Sequence, residues 1–269
     1  KKILPIKAGQ YKKILVTGPN ANNQNLLGDW TFQQPEDNYT TVLEGVQQIA
    51  GKDSKVEYFN CGRIKGKAST ITKESVESAD PNIVNQKIAA EGGAISDFSI
   101  EQTVKRAKDN DLIIVAVGGN GQRWQWGNRT YGESCDRPSI ALYGRQLDLV
   151  KALKATGKPV VVVFINGKPL SEQWIFDNCP AVIEAWEPGM FGGQAIAEVL
   201  FGHYNPSGRL PFTIPRSAAH VPQYYYHRNS RMWTGYAIGT SRYDDKPSYE
   251  FGHGLSYTTF EYSNLTVPA

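Results

Sequence analysis

The chain has 269 residues, 40% hydrophobic and 20% charged, with a formal net charge of +3. That balance is ordinary for a soluble globular protein, and without any block of like charge it argues against a nucleic-acid or membrane-surface partner and for a neutral one. The longest apolar run, residues 160–165, falls far short of the roughly 20 residues a membrane span needs and reads as a buried strand.

The opening Lys1-Lys2-Ile3-Leu4-Pro5 lacks the apolar core and cleavage site of a signal peptide, and the chain has no initiator methionine, so it is expected to begin inside a longer protein. Lys13-Ile14-Leu15-Val16-Thr17 predicts a strand running into the turn Gly18-Pro19-Asn20. Residues 41–50 place Val42, Leu43, Val46 and Ile49 on one helical face, closed by Gly51. Val56-Glu57-Tyr58-Phe59 predicts a second strand, residues 100–109 a helix carrying Ile100, Val104 and Ala107, and residues 112–117 a third strand. A long loop follows, from Gly118 to about Ser139. Residues 146–155 read as a helix (Leu147, Val150, Leu153) ended by Gly157-Lys158-Pro159 before the strand at 160–165. Residues 181–186 predict a strand, 193–201 a helix and 210–214 a last strand.

Strand and helix alternate, and the strands are almost continuously apolar. The fold class expected is therefore α/β: a mostly parallel sheet covered by helices on both faces. Three strands end in small or turn-forming residues, at Gly18-Pro19-Asn20, Gly118-Gly119-Asn120 and Asn166-Gly167. In open α/β sheets such carboxyl-end loops line the ligand crevice. From Pro215 the texture changes. Residues 216–250 carry Tyr224-Tyr225-Tyr226 and many polar groups with little periodicity, which suggests a crossing segment rather than a domain. Residues 251–262 then switch to period-two alternation, a β signature, and the chain ends after about one strand, too little sheet to be stable alone.

The three cysteines, Cys61, Cys135 and Cys179, form no CxxC pair, so neither a metal site nor a disulfide framework is expected, and at least one thiol stays free. Cys135 has no neighbouring His to activate it as a nucleophile. The four histidines (His203, His220, His227, His253) are scattered without ligand spacing, and no cofactor is expected. Gly118-Gly119-Asn120-Gly121 follows a strand but has neither the spacing of a dinucleotide site nor a helix opening behind it; a plain glycine turn is the better reading.

The loop segment 129–137, Arg-Thr-Tyr-Gly-Glu-Ser-Cys-Asp-Arg, is more informative, because loops after strands display functional groups. Glu133 follows Trp124 and Trp126, which are flanked by Arg123 and Arg129. Flat aromatics beside a carboxylate suit sugar rings, which stack their C–H faces and hydrogen-bond through their hydroxyls. A surface loop with packed indoles and a solvated Glu accounts for the same residues. One carboxylate is also too few, since glycoside hydrolysis normally needs two, ~5–5.5 Å apart for retention or ~6.5–9.5 Å for inversion. Asp136 lies close by, but with Arg137 beside it both read as braces of the loop. Asp29-Trp30, after the first strand, is either a further binding patch or a place where Trp30 packs into the core.

Taken together these motifs resemble the second, α/β-sandwich domain of family 3 glycoside hydrolases, the β-glucosidase and β-xylosidase family. The resemblance rests on Ile14-Leu15-Val16-Thr17-Gly18-Pro19-Asn20-Ala21, on Gly132-Glu133-Ser134-Cys135-Asp136-Arg137, and on Leu142-Tyr143-Gly144-Arg145-Gln146 in place of the usual L-P-G-x-Q. Trp186-Glu187-Pro188-Gly189, Gly192-Gly193-Gln194-Ala195 and Asn205-Pro206-Ser207-Gly208-Arg209-Leu210-Pro211 extend it. Phe251-Gly252-His253-Gly254-Leu255-Ser256-Tyr257 resembles the start of the family's fibronectin-III-like third domain. The resemblance implies residues 1–215 as the α/β sandwich, 216–250 as a linker and 251–269 as the truncated beginning of that third domain.

It further implies a retaining, exo-acting hydrolase of terminal β-linked glucose, with Glu133 as acid/base and an Asp nucleophile on a barrel domain whose motifs are not in this chain. That role asks for a carboxyl protonated in the first step and ionised in the second. Trp124, Trp126 and Arg123 are the expected substrate contacts, and the oligosaccharide or β-glycoside and the barrel domain the expected partners. β-Xylosides are the alternative substrate, and a non-catalytic carbohydrate-binding or assembly module the alternative function. The family also implies a periplasmic or secreted location. The missing barrel leaves a piece of a cleaved enzyme, a cloned domain or a stand-alone relative as the possible forms of the chain.

Overall fold

The computed structural model describes residues 3–64, 94–123, 128–226 and 246–267. Within them, β1 (Lys13–Thr17), β2 (Lys55–Phe59), β3 (Leu112–Gly118), β4 (Val160–Ile165) and β5 (Ala181–Glu184) form one sheet in the order β2-β1-β3-β4-β5. Every neighbouring pair is parallel. The helices are α1 (Val42–Ala50), α2 (Asp97–Lys108), α3 (Gln146–Ala155), α4 (Gln173–Asn178) and α5 (Gly192–Phe201). The expected α/β sandwich is the observed one.

The strand residues explain the two layers. In β3 and β4 every residue is buried, and successive side chains point to opposite faces. Ile113, Val115, Val117, Val160, Val162 and Phe164 therefore join one core, which α2 and α3 cover with Ile100, Leu149, Val150 and Leu153. Leu112, Ile114, Ala116, Val161, Val163 and Ile165 join the other, covered by Val42 and Val46 of α1 and by Ile196 and Leu200 of α5. Each Val, Leu, Ile or Phe side chain among these contributes about 1.5–3 kcal/mol on burial.

Capping sets the helix starts. Thr41 accepts from the Glu44 amide (3.2 Å) while the Glu44 carboxylate accepts from the Thr41 amide (2.7 Å), a reciprocal capping box that opens α1. Ser96 opens α2 by accepting from the Ser99 amide. Helices α1 and α5 touch backbone to backbone. A Cβ on Gly45 would stand 2.1 Å from the Gly193 carbonyl oxygen, and one on Gly193 2.0 Å from that of Thr41, so only glycine fits either position.

Two details depart from the sequence reading. Helix α4 was not expected; six residues are too few to show a period. Residues 210–214 do not join the sheet: Leu210 exchanges backbone hydrogen bonds with Gly252 and His253, and Ile214 pairs antiparallel with Tyr249. The segment pairs with the tail instead. Asn205 accepts from the Tyr257 amide (2.8 Å), and the Tyr257 hydroxyl donates to the Val199 carbonyl of α5, pinning the tail to the sandwich. Beyond that point no strand forms among the described residues, and Phe260, Tyr262, Leu265 and Val267 are exposed. Residues 227–245 of the expected linker lie outside the described residues.

The strand order places β2 on one side of β1 and β3 on the other. The chain therefore winds in opposite directions from the β1–β3 seam, which opens a crevice at the carboxyl ends of these two strands. No helix among the described residues is long and apolar enough to cross a membrane.

Candidate active site

The loops after β1 and β3 meet at that crevice. Gln146, fully buried at the start of α3, grips the end of β3: its Oε1 accepts from the Gly118 amide (2.8 Å) and its Nε2 donates to the Gly118 carbonyl (2.9 Å). Asn20, after β1, donates to the carbonyls of Gly119 and Ile165, tying the ends of three strands together. The β3 loop is then zipped at its neck. The Thr130 amide donates to the Asn120 carbonyl (2.8 Å), and the Asn120 amide to the Thr130 hydroxyl (2.9 Å). Gln122 donates to the carbonyls of Gln24 and Gly28, fastening this neck to the β1 loop. Arg123 and residues 129–133 are thereby held over Asp29.

Asp29 is the hub. Its Oδ1 lies 3.2 Å from Arg123 Nε, and both of its oxygens lie 3.4 Å from Nη2 of Arg129, whose side chain is wholly buried. Asp29 Oδ2 also accepts from the Glu133 amide at 3.1 Å. Arg129 in turn donates to the Glu133 carbonyl (2.9 Å), and Arg123 pairs with the Glu133 carboxylate. Burial pushes the Asp29 carboxyl up, but the amides of Glu133 and Trp30 and the charges of Arg123 and Arg129 outweigh it and hold the group below the usual carboxylate range. Gly132 makes this approach possible. Its φ is +97°, and a Cβ there would stand 2.5 Å from Asp29 Oδ2.

Glu133 stands at the tip of a tight turn, with Ser134 at φ +60° and the Cys135 amide donating to the Gly132 carbonyl. Its side chain is 56% exposed, so the carboxylate faces open space from a fixed backbone. Trp30 is not a core residue: it is 70% exposed at φ +57°, and the Arg123 guanidinium lies 3.4 Å from its ring centroid. Of the three expected substrate contacts, Arg123 is engaged by Asp29, Glu133 and Trp30, while Trp124 and Trp126 lie outside the described residues. Arg137 donates to the Ala141 carbonyl (2.6 Å) and lies over the Tyr143 ring, holding the far end of the loop.

Behind the turn lies an open cleft of about 390 Å³ lined by Asp29, Tyr131, Asp136, Arg137, Lys168 and Glu187. Tyr131 wedges its ring against Gly119, Gly121 and Gly167, and burial together with the Glu187 charge raises its hydroxyl well above the ordinary phenol range. Burial first, and then the charge of Arg137, lowers Lys168. In the sequence Arg129 is noted only as flanking the tryptophans, Tyr131 and Glu187 only within longer motifs, and Asp29 only as one half of a possible patch. The clasp between Asp29 and Glu133 spans 104 positions and that between Asp29 and Glu187 spans 158, separations across which no local pattern is visible. Among the described residues no group of three or more His, Cys, Asp or Glu side chains gathers as a metal site.

The chemistry on offer is that of one accessible carboxylate on a rigid turn. Asp29 cannot act as a second, nucleophilic carboxylate, because two guanidinium groups and two amides occupy its oxygens. The molecule is thus an α/β sandwich presenting a braced acidic loop at the carboxyl edge of its sheet. Residues 1–257 match the family model of the glycosyl hydrolase family 3 C-terminal domain, and the chain belongs to that family. It is 37% identical to a periplasmic beta-glucosidase of Salmonella typhimurium, the match covering 98% of this chain and 33% of that protein. It is 35% identical to a beta-xylosidase of Formosa agariphila, over 97% of this chain and 32% of the relative. A beta-glucosidase from Listeria innocua, solved with isofagomine, superposes with a TM-score of 0.73 at 25% identity, over all of this chain and 33% of that one. The chain thus spans about a third of the length of these relatives.

Proposed function

We propose that this chain supplies the general acid/base, Glu133, to a retaining, exo-acting β-glucosidase whose nucleophile is an Asp on a barrel domain outside these residues. The observation that carries the reading is the Glu133 carboxylate, exposed on a turn whose backbone is anchored to Asp29 and Arg129. In the first step Glu133 would protonate the leaving oxygen while the nucleophile attacks the anomeric carbon. In the second it would deprotonate the water that releases the glycosyl-enzyme. Among the described residues the carboxylate clasped to this turn, Asp29, is fully engaged, and the relatives are about three times as long as this chain; both support a nucleophile supplied from elsewhere.

Terminal, non-reducing β-linked glucose is the substrate that most relatives' names support. β-Xylosides are the second reading, favoured by the name of the Formosa relative. Trp124, Trp126 and Arg123 remain the proposed leaving-group contacts, Arg123 standing beside the acid/base as the partner of its carboxylate. Residues 1–215 would be the sandwich, 216–250 a linker, and 251–269 the start of a fibronectin-III-like domain, for which the exposed apolar tail is the supporting feature. A periplasmic or secreted location is in keeping with the Salmonella relative's name.

The test is Glu133→Gln in a protein joining this chain to the barrel. Hydrolysis of β-linked disaccharides should fall about 10²–10⁴-fold, the range that positioned proton transfer supplies. Undiminished turnover would leave a carbohydrate-binding or assembly module as the better description. Parallel assays on p-nitrophenyl β-glucoside and β-xyloside decide the sugar.

A further inference from the structure

We infer that Asp29 is a positioning residue for Glu133, sharing the Arg123 guanidinium so that the Glu133 carboxylate is aimed but not locked; the inference rests on the acid/base reading above. Asp29 holds Glu133 from both ends. Its Oδ2 accepts from the Glu133 main-chain amide at 3.1 Å, and its Oδ1 lies 3.2 Å from the Nε of Arg123, whose Nη2 pairs with the Glu133 side chain. A third link runs through Arg129, which meets Asp29 with the same Nη2 that donates to the Glu133 carbonyl. Main chain and side chain of one residue are therefore both set by a carboxylate 104 positions away.

Charge balance gives this arrangement its consequence. Arg123 and Arg129 are two positive charges, and Asp29 and Glu133 are two negative ones. Remove the charge of Asp29, and Arg123 loses the carboxylate that competes with Glu133 for it, so its hold tightens on the group that must pass a proton to the leaving oxygen and take one back from water. The Asp29 side chain is 15% exposed and Arg129 not at all, so solvent can do little to make up the missing charge. Gly132, which has no Cβ where Asp29 Oδ2 sits, shows that the backbone is shaped around this carboxylate.

A residue that only held the loop together would slow all substrates alike. One that positions an acid has an effect that depends on the leaving group, because a good leaving group departs without a proton. The test is therefore Asp29→Asn, which keeps the shape and an oxygen for the Glu133 amide but loses the charge. It is assayed in the barrel-containing protein on a β-linked disaccharide and on 2,4-dinitrophenyl β-glucoside, beside Glu133→Gln. The expected result is a loss in kcat/KM of about 10- to 100-fold on the disaccharide against less than about 3-fold on the activated glycoside. An equal loss on both, or none on either, overturns the inference while a leaving-group-dependent loss in Glu133→Gln leaves the acid/base reading standing. If Glu133→Gln shows no such dependence, the acid/base reading falls and the inference falls with it.

In this chain alone, Asp29→Asn should shift the amide signal of Glu133 and the Nε–H signal of Arg123 in a ¹H–¹⁵N spectrum; unchanged signals overturn the clasp whatever the activity. Should Asp29→Asn not fold, Asp29→Ser, which also loses the charge, is read in the same pair of assays and should show the same split.

Discussion

The β1–β3 seam and the outer edge of the sheet at β5 each place a carboxyl group at the carboxyl end of a strand, and the two surroundings act on it in opposite ways. At the seam, Asp29 sits between two guanidinium groups and two amides and is held ionised. At the edge, Glu184 is the last residue of β5, and its donors among the described residues are the Trp186 amide (3.1 Å) and the Asn166 side-chain amide (3.4 Å). Burial dominates there and pushes its carboxyl up to about 8, against the smaller opposing pull of the two donors. What separates the sites is how deeply the carboxyl is buried and how strongly its donors oppose that burial. A carboxyl stays charged where a slight desolvation is outweighed by two backbone amides, with two arginines behind them, and is driven neutral where deep burial meets two weaker neutral donors.

The largest effect on stability should come from removing a cation at the seam. Arg129→Met strips the buried partner from Asp29 and the donor from the Glu133 carbonyl, and should cost roughly 3 kcal/mol near neutral pH in a denaturant melt. The penalty has a pH signature. Asp29 titrates below its unfolded value, so the stability it contributes is present above that value, near 3.8, and is lost as the pH falls through its folded value. The gap between Arg129→Met and the native chain should therefore narrow in acid, and a gap that stays constant from neutral to acidic pH would assign the loss to packing rather than charge.

The edge predicts the reverse. Glu184 is raised from 4.5 to about 8 on folding, so its contribution is most favourable below pH 4.5 and is lost as the pH rises through 8. Glu184→Gln, always neutral, should match or trail the native chain in acid and exceed it at pH 8 and above, by about 1–3 kcal/mol. A Tm difference that does not grow between these limits would mean that the carboxyl is ionised and well solvated after all. Smallest of all should be the stability change in Glu133→Gln, within about 0.5 kcal/mol, because its exposed ion pair with Arg123 is worth little to the fold. A large activity loss with an unmoved melting curve would mark a residue kept for chemistry rather than structure.

Particular residues show how much could be read in advance. The β-branched runs 112–117 and 160–165 announced themselves as buried strands, and the apolar face of residues 41–50, closed by Gly51, located α1 almost to the residue, because these signals are local. The loop bearing Glu133 was legible for the same reason: a motif within a few residues, placed after a strand. Trp30 could be read either as core or as surface; it is exposed over Arg123, a contact that depends on a loop 93 positions on in the chain. Residues 210–214 were expected as a last strand, but they pair with Tyr249, Gly252 and His253 rather than with the sheet, since an extended run reports a pairing surface and not whose surface it meets.

By itself, then, the sequence determined the class of fold, the places where strands and helices begin, and the loop that carries the accessible carboxylate, all of them set by residues near one another in the chain. Tertiary structure alone decided which charges surround that carboxylate. Asp29 and Arg129 lie 100 positions apart, and only the order β2-β1-β3 sets their loops side by side. The reason is physical: hydrophobic period and capping act within a few residues, whereas the electrostatics of a site depend on distances in space, which exist only once the sheet has formed.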